Sequence, residues 1–330
     1  MLLLRLIAVV IGIFFCFSTL AVDPQFTQFY AAPLYLNPAM AGATPCWRAH
    51  ANYRNQWFLG PRPYSTYMAG IDKNFQYYNL GAGAYMYYDN PGGGNYSSFE
   101  FAGLISYLIK INYDWRLRFG LQPSYHLKSF ANQGFTYGNN FDNLYGAVGG
   151  GGDGAAPLPS LNFFDLSTGF FAYNQKIWIG LAAHHLLRSP LLLPTSNDPI
   201  PLKISLHGGI KINLNDEETR TLRPAANLRY QGNNIQSDLG LYYNWDIWIV
   251  GAWYRGIPFL SRGGINHDAL CFLGGIKYYT FMIGYSYDLS LSSMINSLGT
   301  HEIGIVFEFC AQTKKPKPPR YIQQIPCPKM

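Results

Sequence analysis

The chain has 330 residues, of which 17% are aromatic and only 13% are charged. An ordinary soluble domain carries about 25% charged residues, so the composition argues against a soluble globular protein. The formal net charge is +6, but most of the excess lies in residues 312–330 and the body is nearly neutral, which excludes the basic surface of a nucleic-acid-binding protein.

The first predicted element is a secretory signal peptide over residues 1–21. Arg5 is the only charge before an apolar stretch from Leu6 to Phe17, and smaller residues follow up to Ala21. A charged start, an apolar centre and a small-residue exit are typical of a signal peptide. A membrane anchor is disfavoured because the stretch is short and no charge cluster follows it. We expect cleavage near Ala21.

Residues 22–46 form a segment that contains "DPQFTQFYAAPLYLNPAMAG". Its prolines interrupt it too often for a long helix or a central strand. We predict a periplasmic segment that leads into the first strand and either plugs the lumen of a barrel or clasps its rim.

Strict alternation of apolar and polar residues dominates the chain after this segment. In "WRLRFGLQPSYHLK", residues 115–128, one face carries Trp, Leu, Phe and Tyr and the other carries Arg, Gln, Ser, His and Lys. Alternation over about a dozen residues predicts a strand. No segment after the signal peptide offers the ~20 unbroken apolar residues of a membrane helix. We therefore predict a transmembrane antiparallel β-barrel over residues 47–309, with the charged faces in the lumen and the apolar faces towards outer-membrane lipid.

The barrel is expected to have about fourteen strands. Their predicted starts lie near residues 49, 67, 80, 98, 115, 162, 176, 203, 221, 237, 247, 269, 280 and 301. Short turns alternate with longer links, which predicts short periplasmic turns and longer extracellular loops. An even strand number then places both termini in the periplasm.

A lumen of this size is too wide for the strand side chains alone to fill. It must hold water, a folded-in loop or an N-terminal plug. Two segments are long enough to enter it, Asp23 to Cys46 and Phe130 to Leu161.

Four cysteines remain after signal removal. Cys46 precedes the first strand and Cys310 follows the last, and barrel closure brings these strand ends together. A Cys46–Cys310 disulfide is therefore plausible in an oxidising compartment. A Cys310–Cys327 bond and free thiols are the alternatives.

The polar residues of the strands suggest interior electrostatics rather than catalysis. Arg54 and Asp72 fall on the lumen faces of successive strands and are expected to form an ion pair. His184 and His185 are neighbours on a strand, so their side chains should point to opposite faces and not share one metal ion. No catalytic triad or phosphate loop stands out, and we predict no enzyme activity, no metal and no cofactor.

Three motifs carry a family resemblance. The opening segment followed by "YRNQW", the stretch "GLAAHHLLRSP" (180–190) and the ending "GYSYDLSLSSMINSLGTHEIGIVFEF" (284–309) resemble the PorP/SprF family of Bacteroidetes outer-membrane proteins. The motif positions that the resemblance marks as possible partner contacts are Pro24, Phe26, Asn37, Pro38, Arg54, Gln56, Trp57, His185, Asp288, His301 and Glu302.

The resemblance implies a role in type IX secretion and gliding motility. Family partners are secreted adhesin-like cargo with a C-terminal signal domain, and periplasmic ring or peptidoglycan-associated components. In the proline-rich tail, residues 310–330, a docking strip for such a component would use Lys314, Lys315, Lys317 and Arg320; a merely solubilising end is the alternative. A transport pore for a small or hydrophobic solute is the alternative function.

Overall fold

The computed structural model describes residues 23–28, 31–58, 63–92, 96–130, 141–142, 146–147, 160–189, 199–232, 234–257, 266–291 and 299–310. The predicted signal peptide lies outside these residues, and so do the tail residues Lys314, Lys315, Lys317 and Arg320.

The alternating segments form one large antiparallel sheet together with a small separate hairpin. The strands are β1 (Trp47–Gln56), β2 (Tyr64–Phe75), β3 (Leu80–Pro91), β4 (Tyr96–Lys110), β5 (Arg116–Phe130), β6 (Phe141–Asp142), β7 (Gly146–Ala147), β8 (Leu161–Tyr173), β9 (Ile177–His184), β10 (Lys203–Ile210), β11 (Ile212–Asn213), β12 (Arg220–Gln231), β13 (Asn234–Trp245), β14 (Trp248–Ile257), β15 (Asn266–Tyr278), β16 (Phe281–Ser290) and β17 (Thr300–Phe309).

The large sheet closes into a barrel of fourteen strands. Segments β10 and β11 are two parts of one barrel strand, since both pair with β12 on either side of Lys211. Strands adjacent in sequence pair with each other around the barrel, and β1 pairs with β17 from Trp47–Phe309 to Gln56–Thr300. The fourteen predicted strands are confirmed, including the irregular one near residue 269, which is β15. The β6–β7 hairpin was not predicted.

Burial follows the predicted alternation. On β17 the outward residues Ile303, Ile305 and Phe307 are 38–44% exposed, whereas Glu302 and Val306 in the lumen are 1% and 4% exposed. On β5 the buried face includes Arg118, as the cost of placing a charge in lipid requires. The outer wall is thus apolar and the lumen is polar.

Short turns lie at one end of the barrel, which we call the turn end; Cys46 and Cys310 flank the barrel there. Strand β1 ends at Gln56 and β9 ends at His184 at the opposite end of the barrel, the loop end, where the longer connections begin. This asymmetry agrees with the predicted pattern of short and long links.

The described residues 23–28 and 31–46 lie inside the barrel. We call residues 23–46 the plug segment. One helical turn (Pro33–Leu36) and a 3-10 turn (Pro38–Met40) are its regular elements. Asp23 contacts Gln231 and Lys203 at the loop end, whereas the Gly42 N–H reaches Asp72 towards the turn end. The segment therefore traverses the lumen, and Asp23 does not lie at the same end of the barrel as Cys310. That both termini lie in the periplasm stays a prediction. Among the described residues, no helix is long and apolar enough to span a membrane.

Candidate functional site

The plug segment is packed as tightly as a protein core. Leu34, Asn37 and Ala39 are fully buried, and Met40 is 2% exposed. In an open, water-filled barrel the lumen face is solvated, so residues inside the lumen would not be buried to this extent. The lumen is therefore occupied by residues of the chain itself.

Asn37 fixes the middle of the plug segment. Its side-chain oxygen accepts a hydrogen bond from the Ala39 N–H at 2.9 Å, which caps the 3-10 turn. Its amide nitrogen donates to the Phe170 carbonyl at 3.0 Å and lies 3.3 Å from Nε2 of His207. The same nitrogen donates to the Leu181 carbonyl at 3.4 Å, so this one side chain joins the segment to β8, β9 and β10 of the barrel wall.

Two wall glycines admit the segment. A Cβ atom at Gly120 would collide with the backbone of Pro38 and Ala39, and one at Gly169 would collide with the Asn37 side chain. Any larger residue at these positions would push the segment away from the wall. The wall and the plug are therefore complementary in shape.

Thr27 lies at the centre of a buried ionic network towards the loop end. Its backbone N–H donates to Glu302 at 2.7 Å and its hydroxyl donates to Asp288 at 2.5 Å. Arg54 bonds both acids at 3.0 Å, and Arg255 bonds Asp288 at 3.1 Å. Both arginines also donate to the Thr27 hydroxyl. We call this group the Thr27 network.

The network continues around the wall through Asp238. This carboxylate accepts from Arg255 at 3.1 Å and from Arg229 at 2.6 Å. Arg229 in turn donates to the side chain of Gln25 at 3.2 Å. Buried charges that are paired and hydrogen-bonded in this way hold a defined geometry, whereas breaking one pair leaves an uncompensated charge.

A second ion pair lies towards the turn end. Arg48 contacts Asp72 at 2.8 Å, and the other Asp72 oxygen accepts from the Gly42 N–H at 2.7 Å. The expected Arg54–Asp72 pair is wrong, because β1–β2 register places Arg48 opposite Asp72 and Thr66 opposite Arg54. Both residues do face the lumen as predicted.

The loop end of the plug segment is held by a cluster around Asp23. Its carboxylate contacts Nε2 of His185 at 2.8 Å and Nζ of Lys203 at 2.9 Å, and Asp165 contacts Nδ1 of His185 at 2.6 Å. Burial opposes the charge on His185, but the Asp23 charge and hydrogen bonds to Asp165 and Asp23 outweigh it and raise the pKa of His185 to about 9. Burial likewise opposes the charge on Asp23, but His185 and Lys203 hold its pKa well below the usual value.

His184 and His185 differ from the prediction that they point to opposite faces. Both are buried, at 5% and 7% exposure. Strand β9 ends at His184, and His185 adopts a left-handed φ of 63°, so the alternation of the strand stops there. Among the described residues, no group of three or more His, Cys, Asp or Glu side chains is arranged so that it could hold a metal ion.

A cavity of about 440 Å³ opens beside the Asp23 cluster. We call it the loop-end cavity. The plug segment lines one side, and strands β2 to β5 line another. Its lining residues are Asp23, Pro24, Tyr64, Tyr87, Asp89, Pro91, Tyr96, Ser98, His126, Lys128, Phe130, His185 and Ile200.

Ser124, His126 and Glu100 approach one another near this cavity, although the sequence suggested no triad. The Ser124 hydroxyl lies 3.0 Å from Nε2 of His126, but Nδ1 of His126 is 3.8 Å from Glu100, which is longer than a hydrogen bond. The His126 ring stacks on Phe163 at 4.8 Å, and Ser124 is not among the residues that line the cavity. Ser124, His126 and Glu100 therefore form a polar cluster on the lumen wall, without the hydrogen bond from histidine to the acid that a catalytic triad requires.

The remaining motif positions divide between the plug and the barrel rim. Phe26 packs edge-on against Tyr35 at 5.5 Å, and the Pro24 carbonyl accepts from the Tyr35 hydroxyl at 2.7 Å. At the loop end, Gln56 ends β1, and Trp57 has a left-handed φ of 58° and donates its N–H to the Gly299 carbonyl at 3.0 Å.

His301 faces outwards, unlike its lumen-facing neighbour Glu302. Its Nδ1 lies 2.7 Å from the Tyr285 hydroxyl, and its ring lies 5.6 Å from that of Phe58. The structure therefore brings Phe26, Asn37, Pro38, Arg54, His185, Asp288 and Glu302 to the lumen, and places His301 on the outer wall.

Of the three alternatives for the cysteines, the structure has the Cys46–Cys310 disulfide. Cys46 and Cys310 form a disulfide with their Cα atoms 4.7 Å apart, across the β1–β17 seam. Cys271 is a free, buried thiol, and Cys327 lies outside the described residues.

Sequence reasoning missed several members of the site. Thr27, Asp238 and Arg255 belong to the Thr27 network and its continuation, and the Gln28 N–H donates to Glu302 at 3.1 Å. None of these four was among the candidate site residues, although Thr27 and Gln28 lie within the opening motif. Asp238 and Arg255 are direct partners in the β13–β14 register, so opposite charges at lumen-facing positions of adjacent strands were the available signal. No sequence signal indicated the contacts of Thr27 and Gln28, since these contacts depend on the path of the plug segment.

A closed antiparallel barrel with an apolar outer wall and a polar lumen defines an integral membrane β-barrel of the outer-membrane type. Here the lumen is filled by the N-terminal segment. The chain belongs to the PorP/SprF family, since the sequence profile described as "Type IX secretion system membrane protein PorP/SprF" matches residues 18–307. Comparison with curated proteins gives no match.

Solved structures of low sequence identity share the fold. The barrel is similar to the Pseudomonas putida toluene transporter TodX, with 8% identity, a TM-score of 0.50 and coverage of 84% of this chain and 93% of that one. It is also similar to the Ralstonia pickettii toluene transporter TbuX, with 10% identity, a TM-score of 0.48 and coverage of 84% of this chain and 94% of that one. The similarity to Acinetobacter baumannii Omp33 has 8% identity, a TM-score of 0.45 and coverage of 81% of this chain and 100% of that one. At such identities the likeness concerns the fold alone.

Proposed function

We propose that the chain is a non-enzymatic outer-membrane barrel of type IX secretion that supports export or surface anchoring of secreted cargo. The cargo would be adhesin-like and would carry a C-terminal signal domain. The loop end would face the cell surface and the turn end the periplasm.

The filled lumen carries this proposal. Asn37 and Thr27 are built into the wall by hydrogen bonds, and the plug segment traverses the barrel from the loop end towards the turn end. A lumen occupied in this way favours a binding or anchoring role over solute flow, because a diffusing solute needs a continuous aqueous path. Membership of the PorP/SprF family supports the assignment of this role to type IX secretion.

The periplasmic link would use the turn end and the tail beyond Cys310. The seam disulfide fixes the point where that tail leaves the barrel. The tail carries Lys314, Lys315, Lys317 and Arg320 without an acid, which suits an acidic ring or peptidoglycan-associated partner. Deleting residues 312–330 should leave a barrel that folds but fails to retain such a partner; undiminished retention would count against docking.

Affinity purification of the tagged chain from native membranes tests the proposal. We expect one secreted protein with a C-terminal signal domain to co-purify, and to be lost from the cell surface when this chain is deleted. A deletion that leaves all such proteins at the surface would contradict it. Solute flux through the purified wild-type chain would instead favour the alternative, a pore for a small or hydrophobic solute.

A further inference from the structure

Asp89 on β3 is a buried carboxylate whose hydrogen-bond partners are neutral. It is 2% exposed and accepts from the Thr66 hydroxyl at 2.6 Å and from the Tyr64 hydroxyl at 2.9 Å. No ion pair joins it to a cation in the described part of the chain, whereas Asp288 contacts two arginines. Burying a carboxylate without a cation is costly. Asp89 is thus a lumen acid that lacks an internal counter-ion among the described residues.

Aromatic side chains line the same cavity as Asp89. Tyr64, Tyr87 and Tyr96 line the loop-end cavity together with Asp89, and the Tyr96 ring lies 5.2 Å from that of Phe130. The negative faces of aromatic rings attract ammonium and guanidinium groups, and a carboxylate adds a charged hydrogen bond. A carboxylate and aromatic side chains that line one cavity are the groups by which proteins recognise a cation.

The cations of the cavity are directed elsewhere. His185 is bonded to Asp23 and Asp165. Lys128 has a contact of its own, since its Nζ lies 5.5 Å from the Phe163 ring. The β2–β4 side of the cavity is therefore acidic and aromatic.

We propose that the loop-end cavity binds a basic side chain of a partner protein, with the lysine ammonium or arginine guanidinium between the Asp89 carboxylate and the rings of Tyr64, Tyr87 and Tyr96. The cavity volume of about 440 Å³ lies within the ~300–1,000 Å³ range of ligand pockets and is too small for a folded domain. A single side chain on a loop or chain end is the occupant that fits. The choice of a protein as the source of the cation rests on the proposed function.

The test uses the full-length chain in detergent and titrates it with N-acetyl-arginine methylamide, N-acetyl-lysine methylamide and N-acetyl-citrulline methylamide. Citrulline matches arginine in shape but carries no charge. We expect saturable binding of at least one basic probe and at least about tenfold weaker binding of the citrulline probe. Asp89→Asn should weaken the basic probe by a similar factor, and Tyr96→Leu should weaken it about threefold or more.

Two matched variants control for general effects. Asp246→Asn removes an acid at the turn end, and Tyr230→Leu removes a tyrosine that is 47% exposed on the outer wall; both should bind the probe as the wild type does. Heat-modifiable migration on gels checks that each variant folds. If Asp89→Asn does not fold, Tyr96→Leu and the arginine–citrulline comparison carry the test.

Equal binding of the arginine and citrulline probes, or undiminished binding by a folded Asp89→Asn variant, would overturn the site. Tetramethylammonium binding more tightly than either basic amino-acid probe would overturn the assignment to a protein side chain and favour a small-molecule cation. If the basic probes bind but no secreted protein co-purifies, the site stands and the proposed function fails.

Discussion

The backbone N–H of Thr27 donates a hydrogen bond to the Glu302 carboxylate at 2.7 Å, which joins the plug segment to the last strand of the barrel. The same acid pairs with Arg54 on the first strand at 3.0 Å. Glu302 therefore links the plug to both sides of the β1–β17 seam. The segment cannot leave the lumen without leaving buried charges of the wall with fewer partners.

Removing one arginine of the Thr27 network should destabilise the barrel strongly. Arg54→Met leaves Glu302 and Asp288 with one cationic partner fewer, and breaking a buried pair typically costs about 3–5 kcal/mol. Lys211→Met, which breaks the more exposed contact with Glu218, should cost about 0–1 kcal/mol. Urea unfolding followed by the folded and unfolded gel bands measures both. Equal losses would show that the Thr27 network does not stabilise the fold.

A side chain at Gly120 should displace the plug segment. The Cβ of Gly120→Val would overlap the backbone of Pro38 and Ala39, whereas a Cβ at Gly103 has nothing within 4 Å. We expect Gly120→Val to expose residues 37–41 to protease and Gly103→Val to leave them protected. Limited proteolysis of the folded barrels with mass spectrometry tests this, and equal protection in the two variants would argue against close contact at Gly120.

The Asp23 cluster should loosen at alkaline pH. The pKa of His185 is raised from 6.5 to about 9 in the folded state, so its contribution is fully present below pH 6.5 and is lost as the pH rises through about 9. We expect unfolding free energy to fall over this window in the wild type, and the fall to shrink in His185→Gln.

His267→Gln on the outer wall is the control for that profile. It should keep the wild-type dependence on pH, because His267 contacts Tyr254 rather than an acid. If the unfolding free energy of His185→Gln falls with pH as it does in the wild type, another group is responsible for the pH dependence.

The seam disulfide should contribute stability without being needed for strand pairing. Backbone pairing joins residues 47–56 to residues 300–309 along the whole seam. We therefore expect a variant with both Cys46 and Cys310 changed to serine to form the barrel and to lose about 2–5 kcal/mol of unfolding free energy. Cys327→Ser should behave as the wild type. Non-reducing peptide mapping should yield a Cys46–Cys310 peptide; free thiols throughout, or a Cys310–Cys327 peptide, would contradict the assignment.

The fold could be predicted from sequence because strand alternation is a local signal. Each strand shows a period of two, and the cost of charge in lipid decides which face turns inwards, as on the strand that contains Arg118. Partner choice in the lumen is not local. Arg48 rather than Arg54 meets Asp72 because of a register that the hairpin connection sets, and a single left-handed residue, His185, ends the alternation of β9.

The plug was foreseen only as one of two possibilities. Prolines at 24, 33 and 38 showed that residues 22–46 are not a strand, but the path of an irregular segment depends on contacts with distant strands. Asn37, for example, reaches the Phe170 carbonyl and His207. The loop-end cavity was not foreseen for the same reason, since its walls come from the plug segment and from several strands.

Single-channel recording in planar bilayers tests the central claim, that the chain's own N-terminal segment closes the lumen. We predict that the wild-type barrel is electrically silent and that a variant lacking residues 23–42 conducts in stable, reproducible steps. A wild-type barrel that conducts as well as the deletion variant would contradict the claim.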